Sequence, residues 1–399
     1  MKEKTLTILA IETSCDDTCI AILKANKEKI EILSNVVSSQ IKIHQKYGGV
    51  YPTLAKREHQ KNLVPLLKTA LKKANLFVKS KNQIPKTKAK VLKKILKREE
   101  HLFNQLKVLA ENCKKPKIDL IAITIGPGLD PCLWTGINFA KSLAYLWNLA
   151  IVPVNHIEAH IFSGLLTKSE LIPLTRFSEI KFPAIVLVVS GGHTQLILIR
   201  KFGDYKILGE TKDDAGGECL DKTARILGLP YPGGPAIEKL ASSPLPNKNK
   251  DNQKQSSIEK LPRPMFFSKD YDFSFAGLKT AVLYRDKKTK NKNKKYKIEM
   301  AREIQQAIID VLLKKTLKAV LDYNAKTIIL GGGVVANKKL REEFKKAVKK
   351  KFKNVVCIIP EKKYCTDNGV MVGLAGYFHR KEKTKDINKI QSKPNLTIS

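Results

Sequence analysis

The chain has 399 residues, 43% of them hydrophobic, a globular composition that excludes a disordered chain and is long enough for two or three domains with buried cores. Its 74 basic and 37 acidic residues give a net charge of +37, which favours a nucleic acid as partner. No apolar run is long enough for a membrane helix, the N-terminus lacks the pattern of a signal peptide, and seven irregularly spaced cysteines predict a reducing cytoplasm.

The positive charge is concentrated in a quarter of the chain. Only ten of the basic residues are arginine, so a lysine-biased composition competes with designed nucleic-acid recognition as the explanation. Most of the net charge lies in five lysine-rich segments, at 79–117, 245–263, 286–297, 338–353 and 380–393.

The first part of the chain predicts an antiparallel meander followed by helices. Residues 5–11 and 19–25 are apolar runs on either side of the polar loop ETSCDDT, which is typical of a β-hairpin, and residues 31–40 predict a third strand. Helical spacing of leucine and alanine predicts a helix over 58–75. Within the lysine-rich segment, residues 90–110 fit one amphipathic helix.

The second part of the chain repeats this layout. Residues 119–126 predict a buried strand that runs into a GPG turn and a helix at about 135–148, and AIVPVN predicts the next strand. Residues 182–200 give two strands around a Gly-Gly loop, and residues 327–344 give a strand, a triple-glycine turn and a helix. VVCIIP predicts a late strand, and TDNGVMVGLAGYFHR a late helix.

Together these elements predict an α/β protein with two similar halves, each opening with a hairpin whose loop is polar. Glycine-rich turns offer backbone N–H groups to phosphates. A single such turn is usually only a turn, but three at corresponding places in two halves indicate a nucleotide clamp. The sequence has neither the spacing of a dinucleotide-binding fingerprint nor a Walker A motif.

A candidate metal site lies in NHIEAH. His156 and His160 are four residues apart, which on a helix puts both imidazoles on one face. A zinc protease requires a glutamate directly after the first histidine, whereas Glu158 is two residues after it. Asp367, in YCTDNG, is a candidate third ligand, although Thr366 or Asp367 would also cap the helix that follows.

Three further glycine-rich motifs are candidate ligand contacts. In VSGGHT (189–194) the glycines allow close approach of a ligand to the backbone, and in GGGVVAN the side chain of Asn337 can donate a hydrogen bond. Asp221 lies on a predicted helix where it could bind a ribose hydroxyl, and Gly234 leaves room for a ligand ring. The alternatives are local helix capping and ion pairing within 213–241.

These motifs, in this order, resemble the bacterial branch of the tRNA threonylcarbamoyladenosine transferases, the TsaD type. The resemblance spans about residues 5–378 and includes ETSCDDT, HIEAH, VSGGHTQL, FSFAGLKT, GGGVVAN and CTDNG. It implies a two-lobed, actin-like fold (the ASKHA class, a duplicated RNase H-like unit). Residues 1–153 with about 371–395 would form the N-terminal lobe, with its insertion at 79–117, and residues 154–370 the C-terminal lobe with the metal and adenylate sites.

The resemblance also implies an activity. A threonylcarbamoyl group would pass from threonylcarbamoyl-AMP to N6 of adenosine 37, in tRNAs that read codons starting with A, with release of AMP. The metal, usually iron in this branch with zinc as the alternative, would bind His156, His160 and Asp367. Asp16 would assist the attacking amine. The contacts to the intermediate would be Val188, Val189, Ser190, Gly191, Gly192, Asp221, Gly234 and Asn337.

The family's partners are small TsaB-like and TsaE-like proteins, and no membrane is expected. Two other functions compete with this one: an ATP-dependent kinase on the same fold, and a non-catalytic scaffold of the same complex. The kinase predicts no His-x-x-x-His metal site, and the degenerate scaffold type lacks the HxExH and Asp367 positions that this chain keeps. The lysine-rich segments lie outside all the motifs.

Overall fold

The computed structural model describes residues 5–81, 83–166, 169–246 and 258–398. Much of the lysine-rich loop expected at 245–263 falls on 247–257, outside the described residues. Within the described ranges no helix is long and apolar enough to cross a membrane. All seven cysteines are free thiols.

Eleven strands are found in the described part of the chain. They are β1 (Leu6–Glu12), β2 (Asp17–Ala25), β3 (Lys29–Ser39), β4 (Leu120–Gly126), β5 (Ala150–Asn155), β6 (Leu171–Pro173), β7 (Ala184–Val189), β8 (Thr194–Lys201), β9 (Asp204–Glu210), β10 (Thr327–Gly331) and β11 (Val356–Ile358).

The α-helices of the described residues are α1 (Ile41–His44), α2 (Pro52–Lys73), α3 (Lys86–Ile95), α4 (Glu100–Asn112), α5 (Asp130–Trp147), α6 (His156–Ser163), α7 (Gly216–Ile226), α8 (Gly233–Ala241), α9 (Ala276–Lys288), α10 (Lys294–Asp322), α11 (Lys338–Lys351) and α12 (Gly369–Phe378). Short 3-10 helices lie at Gln45–Tyr47, Leu174–Glu179, Gly333–Ala336, Lys362–Tyr364, Arg380–Glu382 and Ile387–Lys389.

The chain divides into two compact units. Among the described residues, the first comprises those of 5–43, 50–179 and 367–398, and the second those of 44–49 and 180–366. This division differs from the lobes that the resemblance implies, because β6 pairs with β3 and α6 packs on α12, both in the first unit. Residues 154–179, with the HIEAH motif, lie in the first unit, whereas the sequence prediction assigned them to the C-terminal lobe.

The two units contain sheets of the same topology. In the first unit the order is β5-β4-β1-β2-β3-β6, and in the second it is β11-β10-β7-β8-β9. In each sheet the first strand of the hairpin pairs parallel with one later strand and antiparallel with the next strand in sequence. This repetition is the duplicated α/β architecture that the sequence predicts, and the fold is of the actin-like class.

The core of the first unit explains which residues form its helices. Apolar faces of α2, α4 and α5 pack on one side of the sheet around buried side chains such as Leu9, Ile20 and Leu133. On the other side lies α12, where a Cβ at Gly369, Gly373 or Gly376 would come within 2.6 Å of atoms of the sheet strands. The missing side chains let this helix lie close against the sheet.

Several elements differ from the predicted ones, and β6, α9 and α10 were not predicted at all. The helix expected at 58–75 begins at Pro52, and the single helix expected at 90–110 is two helices, α3 and α4. They are separated near Glu99, whose buried carboxylate accepts a hydrogen bond from Asn138 Nδ2 at 3.2 Å. The strand β9 was not anticipated, and it pairs antiparallel with β8.

Candidate metal centre and nucleotide-binding loop

The carboxyl ends of three neighbouring parallel strands of the first unit meet at one edge of its sheet. There β1 ends at Glu12, and β5 runs directly into α6, whose first residue is His156. The cap of α6 is Asn155, whose Oδ1 accepts hydrogen bonds from the backbone N–H groups of Ile157 at 2.8 Å and Glu158 at 3.3 Å. The carboxyl edge of parallel strands is where α/β proteins form their ligand sites.

Asp367 reaches this edge just before α12. The residue that caps α12 is Asn368, whose Oδ1 accepts a hydrogen bond from Met371 N at 3.1 Å. Neither Thr366 nor Asp367 is the cap, so the capping role that the sequence offered as an alternative belongs to the next residue. The backbone oxygen of Asp367 lies 3.5 Å from Cys19 Sγ on β2.

His156, His160 and Asp367 form one cluster, as the sequence predicts. Nε2 of His160 lies 3.2 Å from Asp367 Oδ1, and Nε2 of His156 lies 3.7 Å from the same oxygen. One ligand atom from each residue lies within 4.8 Å of the other two. The imidazoles are nearly perpendicular, with centroids 4.7 Å apart, and both Nε2 atoms face the same Asp367 oxygen.

The cluster fits a metal ion because it leaves buried donor atoms unsatisfied. His160 is 1% exposed, and among the described residues its Nδ1 has no hydrogen-bond partner. Its Nε2 lies 3.2 Å from Asp367 Oδ1 but outside the geometry of a hydrogen bond. Buried polar atoms without partners are costly and therefore rare in folded proteins. Two imidazoles and one carboxylate are a common ligand set for catalytic Zn(II) and for Fe(II) with open coordination positions.

Glu12 lies on the opposite side of the His156 ring. Its Oε2 is 3.1 Å from His156 Nδ1, and its side chain is fully buried. Burial opposes charge on the His156 ring, but Glu12 and Asp367 outweigh it and raise the pKa of His156 to about 9. Burial likewise acts to raise the pKa of Glu12, yet the charge and hydrogen bond of His156 lower it overall.

Two more acids of the first unit follow Glu12 in the chain: Asp16 lies in the loop between β1 and β2, and Asp17 is the first residue of β2. Asp16 and Asp17 are half-buried, and burial, followed by the charges of Asp367 and Asp16, raises the pKa of Asp17 to about 7. His59 supports this loop, since its Nδ1 lies 2.8 Å from Thr18 Oγ1 and its Nε2 lies 2.9 Å from the Cys15 oxygen.

In the second unit, the loop after β7 is a tight turn with exposed glycines. Ser190 N donates to the oxygen of His193 at 2.8 Å, and His193 N donates to Ser190 Oγ at 3.1 Å. Between them Gly191 and Gly192 are exposed, and a Cβ on either would meet no atom within 4 Å. This open backbone can approach a ligand closely.

The amino-terminal end of α7 lies against this loop. Gly217 N donates to the Ser190 oxygen at 3.2 Å. A Cβ at Gly217 would lie 2.4 Å from that same oxygen, and a Cβ at Gly332, whose φ is +91°, would lie 2.4 Å from the Val189 oxygen. Glycine is therefore required on both sides of the loop by close approach, and at Gly332 by backbone conformation as well.

The remaining predicted ligand contacts have partners within the second unit. Asp221 Oδ1 accepts a hydrogen bond from Gly233 N at 2.6 Å, next to Gly234 at the start of α8. Asn337 caps α11, since its Oδ1 accepts a hydrogen bond from Leu340 N at 3.0 Å. Its Nδ2 donates to Gln305 Oε1 at 2.7 Å.

Beside Asn337 lies a cavity of about 470 Å³, a volume suited to a small ligand. Its lining includes Glu238, Arg302, Gln305, Lys338 and Lys339.

Two supporting residues were not singled out from the sequence. Glu12 opens the predicted polar loop ETSCDDT and is the last residue of β1 in the structure. Its contact with Thr124 on β4 could not be foreseen from a strand pattern. His59 is the last residue of the stretch HQKYGGVYPTLAKREH (44–59), and nothing in that stretch predicts a contact with the loop at Cys15.

A model of one protein family matches most of the chain. It is described as TsaD, tRNA N6-adenosine threonylcarbamoyltransferase, and it matches residues 31–88 and 99–374. Residues 89–98, in the lysine-rich insertion, lie between the two matched parts.

Curated proteins of that description are similar over nearly the whole chain. The tRNA N6-adenosine threonylcarbamoyltransferase of Thermosipho africanus is 42% identical, with 98% of this chain and 99% of that protein covered. The one of Anoxybacillus flavithermus is 36% identical, with 100% and 99% covered. Among solved structures, HypF of T. kodakarensis has a TM-score of 0.51 at 13% identity, covering 95% of this chain and 48% of that one, and so shows the fold alone.

Proposed function

Because the chain belongs to the TsaD family of tRNA N6-adenosine threonylcarbamoyltransferases, we propose that its first unit holds a catalytic metal and its second unit the adenylate. The chain is a transferase that modifies N6 of an adenosine in tRNA. The proposal adds the donor, threonylcarbamoyl-AMP, the position, adenosine 37, and the residues that serve each step. One observation supports it above the others: His156, His160 and Asp367 bring one ligand atom each to within 4.8 Å of the other two, and the two imidazoles are buried.

The metal would be held by His156 Nε2, His160 Nε2 and an oxygen of Asp367. We propose Fe(II), as in the bacterial branch of the family, although this ligand set also suits Zn(II). When bound, such an ion supplies a Lewis acid for a carbamoyl or phosphoryl oxygen. The near-complete burial of both histidines keeps their ring orientations fixed by packing.

The adenylate would be bound by the second unit. The exposed backbone of Gly191 and Gly192 would hold the phosphate, because no side chain stands in the way there. Val188, Val189 and Ser190, the end of β7 and the start of the loop, would place this backbone. Asn337 and Gln305, which lie beside the cavity, would contact the nucleoside. Asp221 would shape the site near Gly234 through its bond to the Gly233 amide.

The transfer needs no protein nucleophile. N6 of the adenosine attacks the carbamoyl carbon, the bond from that carbon to the phosphate oxygen breaks, and AMP leaves with the electron pair. The N6 amine loses one proton, which we assign to Asp16 on the β1–β2 loop. The bracing of that loop by His59 fixes where the acceptor carboxylate lies, and positioning supplies a large part of such catalysis.

The family also suggests partners and a compartment. We propose that TsaB-like and TsaE-like proteins work with this chain. A cytoplasmic location agrees with its seven free thiols. The lysine-rich segments would add salt-dependent attraction for the tRNA. An ATP-dependent kinase predicts no metal cluster of this kind, and no observation favours that function.

Reconstitution tests the proposal. Protein, tRNA, threonine, bicarbonate, ATP and the partner proteins are combined, and threonylcarbamoyladenosine in the tRNA is measured for the wild type and for His156→Ala. We expect modification by the wild type and loss of at least about 100-fold in the variant, because a ligand of the metal is removed. Full activity of the variant would contradict the metal site, and phosphate transfer to a sugar would contradict the reaction.

A further inference from the structure

Glu12 is a buried carboxylate that the proposed reaction does not use. It ends β1, it is 0% exposed, and both of its oxygens accept hydrogen bonds within the first unit. Oε1 accepts from Ser14 N at 2.5 Å, and Oε2 accepts from Thr124 Oγ1 at 2.5 Å. The same Oε2 lies 3.1 Å from His156 Nδ1. A buried charge is costly unless it is paired, so this arrangement calls for an explanation.

The placement of Thr124 shows that the carboxylate is held from the sheet. Ile11 on β1 pairs with Ile123 on β4 in parallel register, so the next residues along the two strands, Glu12 and Thr124, are neighbours at the sheet edge. Glu12 is therefore fixed by a backbone amide on one side and by an adjacent strand on the other. Its position does not depend on His156.

An ionised carboxylate can only accept hydrogen bonds, so Glu12 determines which ring nitrogen of His156 carries a hydrogen. The contact at 3.1 Å requires Nδ1 of His156 to be the donor, which keeps a hydrogen on Nδ1 and leaves Nε2 as the ligand atom. Nε2 is the nitrogen that faces Asp367. The two ring nitrogens point away from each other, so Glu12 cannot itself bind an ion held at Nε2.

We propose that Glu12 is a positioning residue: it holds His156 in its Nδ1-protonated form and aims Nε2 at the metal. This inference rests on the metal site of the proposed function. The two histidines then differ in how they are held, since Nδ1 of His156 contacts Glu12 and Nδ1 of His160 has no hydrogen-bond partner among the described residues. His156 is then the oriented ligand, and Ser14 Oγ, 3.3 Å from the same Nδ1, gives a second contact.

The first test is the Zn(II) affinity of Glu12→Gln, measured by competition with a chromophoric chelator. The glutamine amide has one acceptor oxygen, whereas the carboxylate has two. Its NH₂ group must therefore face hydrogen-bond donors, either Ser14 N or both Thr124 Oγ1 and His156 Nδ1. We expect Zn(II) to bind about 10- to 100-fold more weakly. The matched control is Thr13→Val, which removes the buried bond from Thr13 Oγ1 to the Cys132 oxygen and should leave the affinity unchanged.

The second test needs no variant and therefore does not depend on whether Glu12→Gln folds. NMR of ¹⁵N-histidine in the Zn(II)-loaded wild type reports which nitrogen of His156 carries hydrogen. We expect hydrogen on Nδ1 and zinc on Nε2. Zinc on Nδ1, or wild-type affinity in Glu12→Gln, would overturn the positioning role while leaving the metal site intact. Wild-type protein that binds no zinc would instead contradict the metal site itself, and the role of Glu12 with it.

Discussion

Gly191→Ala is expected to weaken adenylate binding while leaving the protein folded. A Cβ at this position meets no atom of the protein within 4 Å, and the backbone is not in the left-handed region. The free energy of unfolding should therefore change by no more than about 0.5 kcal/mol. The added methyl group can collide only with something that binds at the loop.

The size of the binding effect follows from the contact that is lost. If the phosphate accepts a hydrogen bond from this backbone, displacing it costs about 1.5–3 kcal/mol, the usual range for a hydrogen bond to a charged group. That corresponds to roughly 10- to 150-fold in the dissociation constant. Calorimetric titration with AMP, beside a urea unfolding curve for each protein, separates the two quantities.

Gly217→Ala is the informative contrast, because its Cβ would lie 2.4 Å from the Ser190 oxygen. Here the protein itself must shift, and we expect a loss of stability of about 1–3 kcal/mol together with weaker AMP binding. Wild-type AMP affinity in Gly191→Ala would refute the assignment of the loop to the phosphate. A large stability loss in that variant would refute the steric argument.

Three other predictions concern stability and tRNA. The hydrogen bond to Glu158 raises the pKa of His379 to about 9. The protonated His379 therefore stabilises the folded protein fully below about pH 6.5, and this contribution is lost as the pH rises through 9. A difference in melting temperature between wild type and His379→Gln that stays constant from pH 6 to 10 would contradict this. Asn368→Ala removes the cap of α12 and should cost about 0.5–2 kcal/mol in urea unfolding, whereas an unchanged midpoint would show that the cap is not needed. Replacing the exposed Lys287, Lys288 and Lys290 by glutamine should weaken tRNA binding at low salt and lower its salt dependence without changing AMP affinity; a salt titration that does not move would favour compositional bias.

The sequence predicts the ligands of the candidate metal centre better than their surroundings. The spacing of His156 and His160 requires only a helix, and the structure has one, α6. Asp367 could be proposed as the third ligand from the motif YCTDNG and from the resemblance, but not from spacing, because it is more than 200 residues away along the chain. The close packing of α12 against the sheet brings Asp367 to the two histidines. The glycines of α12 that permit this packing do not, by their spacing, indicate a metal ligand.

The support of the site is where sequence reasoning ends. That Glu12 contacts both Thr124 and His156 depends on the register of β1 against β4, which a strand pattern does not specify. The break between α3 and α4 is another case, since the contact of Glu99 with Asn138 is tertiary. The start of α2 at Pro52 could have been predicted from the sequence, because proline favours the first position of a helix.

The lysine-rich segments have structure that their composition did not reveal. Residues 86–95 form a helix whose Leu92 is 1% exposed, and Leu96 just beyond it is equally buried. Part of the insertion therefore packs into the first unit and is not a solvated loop. Its lysines extend outward from a fixed element, which makes the segment suitable for charge substitutions that spare the fold.

The central claim, that a metal held by His156, His160 and Asp367 is needed for transfer to tRNA, is tested most directly by restoring metal to chelator-treated protein. The threonylcarbamoyladenosine formed is followed as Fe(II) is added anaerobically to the wild type and to His160→Ala. We predict that the chelator abolishes wild-type transfer, that about one equivalent of Fe(II) restores it, and that His160→Ala is not restored. Transfer that is indifferent to the chelator, or an equal rate in His160→Ala, would contradict the claim.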